Sequence, residues 1–330
     1  MRRPRLLAIG LCVLAIAWWR RDDAPPTSVG PLYTAVLRDG FAIMEAAGDR
    51  HVLELDREGA RRRRSAIPVI TDARVVGTRT GAAVGFLDEG RVKLGRVTDD
   101  GTLGGITAWG HKVDRLCDGA ASNDLRFAIG WLERNGKLSY VHGPVTAELA
   151  TTEVATTEHT TRATGWCAIT SAGEDIAVFW REGTRLFMQT CSTRTCSMLV
   201  RIPLNPKQAL VAQGCSSEGC LLAFRNETGK PQLGWMTLAG KPLWSKPLPQ
   251  ATSRTAFSIT AIGARAMAVG FVSSEGATVL RVSNTGAMER AWADPASTEQ
   301  PSVAWASGQL LVAIADGDTI RHDVVAAPAP

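Results

Sequence analysis

The chain has 330 residues, 45% of them hydrophobic and 21% charged, with a formal net charge of +5 at pH 7. That charge is neither large nor concentrated on one face, which excludes a nucleic-acid partner. The length would accommodate two domains of ~150 residues each, so the internal organisation has to decide the number.

Arg2, Arg3 and Arg5 precede an apolar run from Leu6 to Trp19, and Ala15-Ile16-Ala17 supplies the small-x-small pattern of a signal-peptidase site. Fourteen apolar residues fall short of the roughly 20 that span a bilayer. Residues 1–23 therefore read as a signal peptide, cleaved on export. As a retained signal anchor, residues 6–19 would tether the chain to the inner membrane, with Trp18, Trp19, Arg20 and Arg21 as an interfacial collar. Leu11 is not the small residue expected before a lipidated cysteine at position 12. In either case the remainder leaves the cytoplasm, for the periplasm or the exterior. Loss of residues 1–17 lowers the net charge to +2. Residues 24–30 read as a short linker.

From residue 31 onward a short phrase recurs: Phe41-Ala42-Ile43-Met44, Ala83-Val84-Gly85-Phe86, Ala128-Ile129-Gly130-Trp131, Ala177-Val178-Phe179-Trp180, Leu221-Leu222-Ala223-Phe224, Ala268-Val269-Gly270-Phe271 and Leu311-Val312-Ala313-Ile314. The spacings are 41, 45, 49, 44, 47 and 44 residues. Each copy is followed by a glycine (Gly48, Gly90, Gly136, Gly183, Gly229, Gly276, Gly317) and then by a second apolar piece. Apolar run, glycine turn and renewed alternation make a hairpin. Strand-like pieces lie upstream, as at Val75 to Thr78 and Cys167 to Thr170, and downstream, as at Ile106 to Trp109 and Lys241 to Lys246. A period in the forties built of short strands predicts an all-β fold, a seven-bladed β-propeller of four-stranded antiparallel blades over residues 31–326. Residues 327–330 read as a disordered tail. Phe86, Trp131, Trp180, Phe224 and Phe271 are expected in the blade-to-blade core. The final copy has no evident fourth strand. Either the N-terminal segment completes that blade, or it has three strands.

Six cysteines lie beyond the leader. Cys191 and Cys196, and likewise Cys215 and Cys220, bracket predicted turns, so each pair is expected to bridge its own hairpin. Cys117 and Cys167 fall in the innermost strands of adjacent blades and form the third expected disulfide. The rival, a zinc site made from the two C-x4-C units, has no accompanying histidine and needs free thiolates in an oxidising compartment.

The predicted turns between second and third strands each carry a carboxylate, among them Asp88, Glu133, Glu182, Glu227, Glu275 and Asp316. These share one end of a closed ring and are the candidate loop-face binding residues. Inter-blade linkers expected at the same end carry Arg74, Lys112, Arg115, Arg162, Lys207 and Arg254, whose charge offsets the acids. Arg61 to Arg64 read as a solvated edge that resists strand pairing. The Thr-rich stretch from Thr146 to Thr164 is the first candidate for a partner contact.

No catalytic, cofactor-binding or metal residues emerge. His51, His111, His142, His159 and His322 are scattered, and no nucleophile elbow, P-loop or dinucleotide fingerprint lies where its fold would support it. Ala239-Gly240-Lys241-Pro242-Leu243-Trp244 resembles the Gly-Lys-x-x-Trp ending of quinoprotein-type blades, and Thr285-Gly286 with Trp292 echoes it. Over about 300 residues the repeat resembles those of bacterial exported β-propellers, without the Trp-Asp tag of WD40 repeats. The resemblance implies a rigid ring presenting variable loops. The expected function is a non-catalytic scaffold in the cell envelope, binding protein or glycan and needing no cofactor. The alternative is an exported enzyme, a hydrolase or quinone-dependent oxidoreductase, with its site at the channel mouth.

Overall fold

Near-continuous apolar runs such as Gly81–Asp88 and Ala266–Ser273 can bury both faces of a strand, and this dictates how the sheets pack. A computed structural model describes residues 32–37, 40–47, 50–57, 63–67, 72–78, 81–97, 102–110, 112–122, 126–144, 155–159, 163–192, 195–205, 207–252, 255–306, 308–316 and 319–326. They contain 28 strands and no helix. The leader, the linker at 24–30, the tail at 327–330 and any N-terminal strand completing the last blade lie outside the described residues.

The strands form seven antiparallel sheets in chain order: sheet 1 over residues 33–67, sheet 2 over 73–109, sheet 3 over 113–159, sheet 4 over 167–201, sheet 5 over 209–247, sheet 6 over 257–294 and sheet 7 over 302–326. Within each sheet, consecutive strands are neighbours, as the hairpin grammar predicts. The expectation of seven four-stranded blades is corrected here: six sheets are complete blades with four strands or more, and sheet 7 has three among the described residues.

The sheets are arranged cyclically. Seven buried clusters each join one sheet to the next, for example Met44 with Val84 and Phe86 between sheets 1 and 2, and Trp235 with Val269 and Phe271 between sheets 5 and 6. The seventh joins sheet 7 to sheet 1, placing Phe41 and Ile43 with Leu311, Ala313 and Ile320. Thr34 Oγ1 adds a hydrogen bond of 3.0 Å to the Val303 carbonyl across the same junction. The recurring aromatics are core as expected: Phe86, Trp131, Trp180, Phe224 and Phe271 are buried. Each large side chain so buried stabilises the ring by about 1.5–3 kcal/mol.

The innermost strand of sheet 3 is interrupted. Val113–Leu116 and Ala121–Ser122 both pair with Arg126–Glu133, and residues 117–120 between them turn aside toward sheet 4. There the Asp118 N–H donates to the Cys167 carbonyl at 2.8 Å, and the Ile169 N–H to the Asp118 carbonyl at 2.9 Å. Gly119 makes the detour possible with φ of 71°, and a Cβ there would lie 2.8 Å from the Ile169 carbonyl oxygen.

The glycine of the repeat phrase has a packing role. At Gly270 a Cβ would meet the Pro301 carbonyl oxygen, just before sheet 7, at 2.8 Å and Val303 of sheet 7 at 3.3 Å. At Gly85 the nearest atom, at 2.5 Å, is the flexible Cδ1 end of Ile129. We expect Gly270→Ala to cost about 1–3 kcal/mol and to lower the thermal midpoint by a few degrees, with a smaller loss for Gly85→Ala. Denaturant and thermal unfolding of the two variants would check this, and equal losses would contradict the backbone-contact argument.

Candidate functional site

Because first and second strands are antiparallel, the start of each innermost strand lies at the same end of its sheet as the second-to-third turn. At that end sheets 1 to 4 bring four side chains together. Tyr33 opens the first strand of sheet 1, Arg74 is the second residue of Ala73–Thr78, Asp118 sits in the break of sheet 3, and Trp166 immediately precedes Cys167–Ala172.

Arg74 is the centre of the cluster and is buried. Its Nε donates to the Cys117 carbonyl at 2.8 Å, its Nη1 to the Ala73 carbonyl at 2.8 Å and to the Asp72 carboxylate, and its Nη2 lies 3.6 Å from Asp118 Oδ1. The guanidinium carbon stands 4.6 Å from the centroid of the Tyr33 ring, a cation–π geometry. Burial raises the Tyr33 hydroxyl above its ordinary pKa, against the opposing influence of Arg74. Trp166 Nε1 donates to Asp118 Oδ2 at 2.8 Å. Both carboxylate oxygens of Asp118 are thus held, yet its side chain is 61% exposed. A half-buried indole beside an oriented, solvent-facing carboxylate can accept hydrogen bonds from a ligand and stack against it.

Beneath this surface Cys117 and Cys167 form a disulfide with a Cα separation of 4.7 Å, tying sheet 3 to sheet 4. It closes a span of 50 residues, worth about 4 kcal/mol in the chain-entropy account. Cys191–Cys196 and Cys215–Cys220 each span 5 residues, worth about 2 kcal/mol on the same account. The pairs are those the repeat register predicts.

The turn carboxylates are placed individually. Asp88 is ion-paired with Lys93 of its own hairpin, and Glu275 with Arg290 at 3.0 Å. Glu133 accepts from Asn135 at 3.4 Å, Glu182 from Trp180 Nε1 at 3.0 Å and Glu227 from Asn205. Asp316 ends the strand Gln309–Asp316. Among the described residues no three His, Cys, Asp or Glu gather as a metal-ligand set. Arg74, read as a loop cation offsetting these acids, is instead buried in an inner strand. Of the Thr-rich stretch, Ala155–His159 is the outer strand of sheet 3, and residues 146–154 and 160–162 lie outside the described residues. Arg63 and Arg64 begin the outer strand Arg63–Ile67, and Arg61 and Arg62 lie outside the described residues.

Sequence reading passed over Asp118 and Trp166, although a signal existed. They are the chain neighbours of Cys117 and Cys167, so the predicted bridge between those cysteines already implied their proximity.

A second buried charged group lies in sheet 3. Arg126 Nη2 is 3.2 Å from His142 Nδ1 and 3.3 Å from the Ser192 carbonyl, and Tyr140 packs against the imidazole with ring centroids 5.3 Å apart. Burial, followed by repulsion from Arg126, lowers the His142 pKa from 6.5 to about 4.

No protein-family model matches the chain, and no curated protein matches it. Solved structures do. A puromycin hydrolase aligns at 12% identity over 90% of this chain and 52% of that one, with a TM-score of 0.61. BP39L lectin from Burkholderia pseudomallei aligns at 12% identity over 90% of this chain and 96% of that one, also with a TM-score of 0.61. The WD40 domain of Toxoplasma gondii coronin aligns at 10% identity over 90% and 81%, with a TM-score of 0.57. The chain spans about half the length of the hydrolase. At such identities the likeness is one of fold, and that fold is a β-propeller.

Two outcomes follow from the buried charges. Arg74→Met removes the partner of the Cys117 carbonyl and of two carboxylates, and is expected to cost about 2–3 kcal/mol, below the value for fully buried pairs because Asp72 and Asp118 remain hydrated. Urea denaturation of the variant would measure it. His142 is held neutral in the fold while the unfolded chain takes up its proton near pH 6.5. Its stabilising effect is therefore complete above pH 6.5 and is lost as pH falls toward 4, by on the order of 3 kcal/mol. His142→Gln should flatten the stability profile through that window, and an unchanged profile would contradict the assignment.

Proposed function

We propose that the chain is an exported, non-catalytic β-propeller that binds a ligand at the end of the ring formed by Tyr33, Arg74, Asp118 and Trp166. The observation that carries this reading is the Asp118 carboxylate, hydrogen-bonded through Oδ2 by Trp166, ion-paired through Oδ1 with Arg74 at 3.6 Å, and still 61% exposed. An oriented carboxylate open to solvent is available to a ligand, and a binding group gains from being oriented before its ligand arrives. The partner is a glycan or a hydroxyl-rich protein surface of the cell envelope. The fold likeness to a lectin propeller agrees with the first of these.

In this reading sheet 7 is a seventh blade. Support comes from the seventh buried cluster, which closes the ring against sheet 1. Export is supported by three disulfides and by the charge and apolar pattern of residues 1–23.

The test is binding of the purified protein to a glycan array and, by photo-crosslinking, to solubilised envelope proteins, alongside Asp118→Asn and Trp166→Ala. Each variant is expected to weaken binding about tenfold or more, roughly 1.4 kcal/mol, while the far-UV spectrum stays unchanged. Variants that bind like the parent, or crosslinks mapping only to the opposite ring end, would overturn the proposal.

A further inference from the structure

The three disulfides are not equally accessible. Cys117 and Cys167 are 0% and 1% exposed, and Cys215 and Cys220 are 2% and 0% exposed. In the third bridge Cys191 is 0% exposed, but Cys196 lies in the exposed run 195–199, beside Met198 at 87% exposure. Exchange requires a thiolate to reach a sulfur, so access separates one bridge from the other two.

The surroundings of that bridge suit reversible chemistry. Cys191 and Cys196 oppose each other as an antiparallel bridge. The turn between them is held independently of the sulfurs: the Ser192 N–H donates to the Thr195 carbonyl at 2.9 Å, the Ser197 N–H to the Thr190 carbonyl at 2.7 Å, and Gln189 Nε2 to the Ser197 carbonyl at 2.6 Å. Breaking the S–S bond therefore leaves the two sulfurs neighbours. The buried Arg126 guanidinium of sheet 3 donates to the carbonyls of Cys191 and Ser192 at 3.4 and 3.3 Å. This places a cation beside the backbone of Cys191, the residue whose sulfur would depart as thiolate.

We propose that Cys191–Cys196 is a redox-exchanging site for an exported dithiol reductant, the other two bridges being permanent. The reductant's thiolate attacks the sulfur of Cys196, the exposed residue of the pair, forming a mixed disulfide and expelling Cys191 as thiolate. The reductant's second thiolate then attacks the mixed disulfide, releasing Cys196 and closing the reductant's own disulfide. Two electrons pass from reductant to protein, and Cys191 and Cys196 each end with one proton. Reduction removes the covalent link near the outer edge of sheet 4, where the edge strand Val200–Arg201 is only two residues long, while the hydrogen bonds of the turn keep the two thiols close enough to re-form it.

The test uses the whole oxidised protein without denaturant. It is exposed to dithiothreitol, quenched with an alkylating agent at intervals and mapped by mass spectrometry. Cys191 and Cys196 are expected to be alkylated on the order of 100-fold faster than the other four, and oxidised dithiol should restore the bridge. Equal rates for the three pairs, earlier reduction of either other pair, or resistance of all three would overturn the proposal. Single variants give an independent readout. In Cys191→Ser the remaining Cys196 should form a mixed disulfide with glutathione, whereas in Cys196→Ser the remaining Cys191 should not. Equal reaction of the two would equally overturn it.

Discussion

Burial of each sheet's second strand between two neighbouring sheets is the interaction on which the rest of this molecule depends. A strand such as Ala266–Ser273, buried along nearly all its length, cannot satisfy both faces within its own sheet, so every sheet needs one on each side. A linear stack would leave its first and last members exposed. The solution is cyclic: Phe41 and Ile43 of sheet 1 cover Leu311 and Ala313 of sheet 7. None of the three disulfides joins those two sheets, so among the described residues the junction rests on apolar burial and the hydrogen bonds of Thr34.

Once the ring is closed, residues one repeat apart become neighbours at one end of it. Arg74 and the Cys117 carbonyl are separated by 43 residues, and Asp118 and Trp166 by 48. Both separations are close to the repeat period, because these groups occupy equivalent places on successive innermost strands. The break at residues 117–120 then lets sheet 3 lend Asp118 to sheet 4, and the disulfide fixes the detour. A covalent constraint at this point limits how far the carboxylate and the indole can drift apart, an ordering that the separate turn acids at the same end of the ring lack. Those acids are engaged by nearby groups such as Lys93 and Arg290, which satisfies their charge locally.

Arg74 and His142 show how burial acts differently on two cations. Arg74 is buried with two carboxylates and two carbonyls around it, and these contacts offset its loss of hydration. His142 meets desolvation and a neighbouring guanidinium, and gives up its proton instead.

The sequence by itself determined the strands, their hairpin order, the buried aromatics and the cysteine pairs, since each follows from the periodicity and turn chemistry of the chain near that position. The repeat register carried even the long-range pair Cys117–Cys167, because equivalent positions in adjacent blades must lie side by side. Only the tertiary structure decided that Arg74 turns inward onto the Cys117 carbonyl and that Asp118 of sheet 3 meets Trp166 of sheet 4. Those outcomes depend on which groups compete for the same space and charge once the sheets meet. No local pattern encodes that competition, because its members lie forty or more residues apart and are brought together by the closure of the ring.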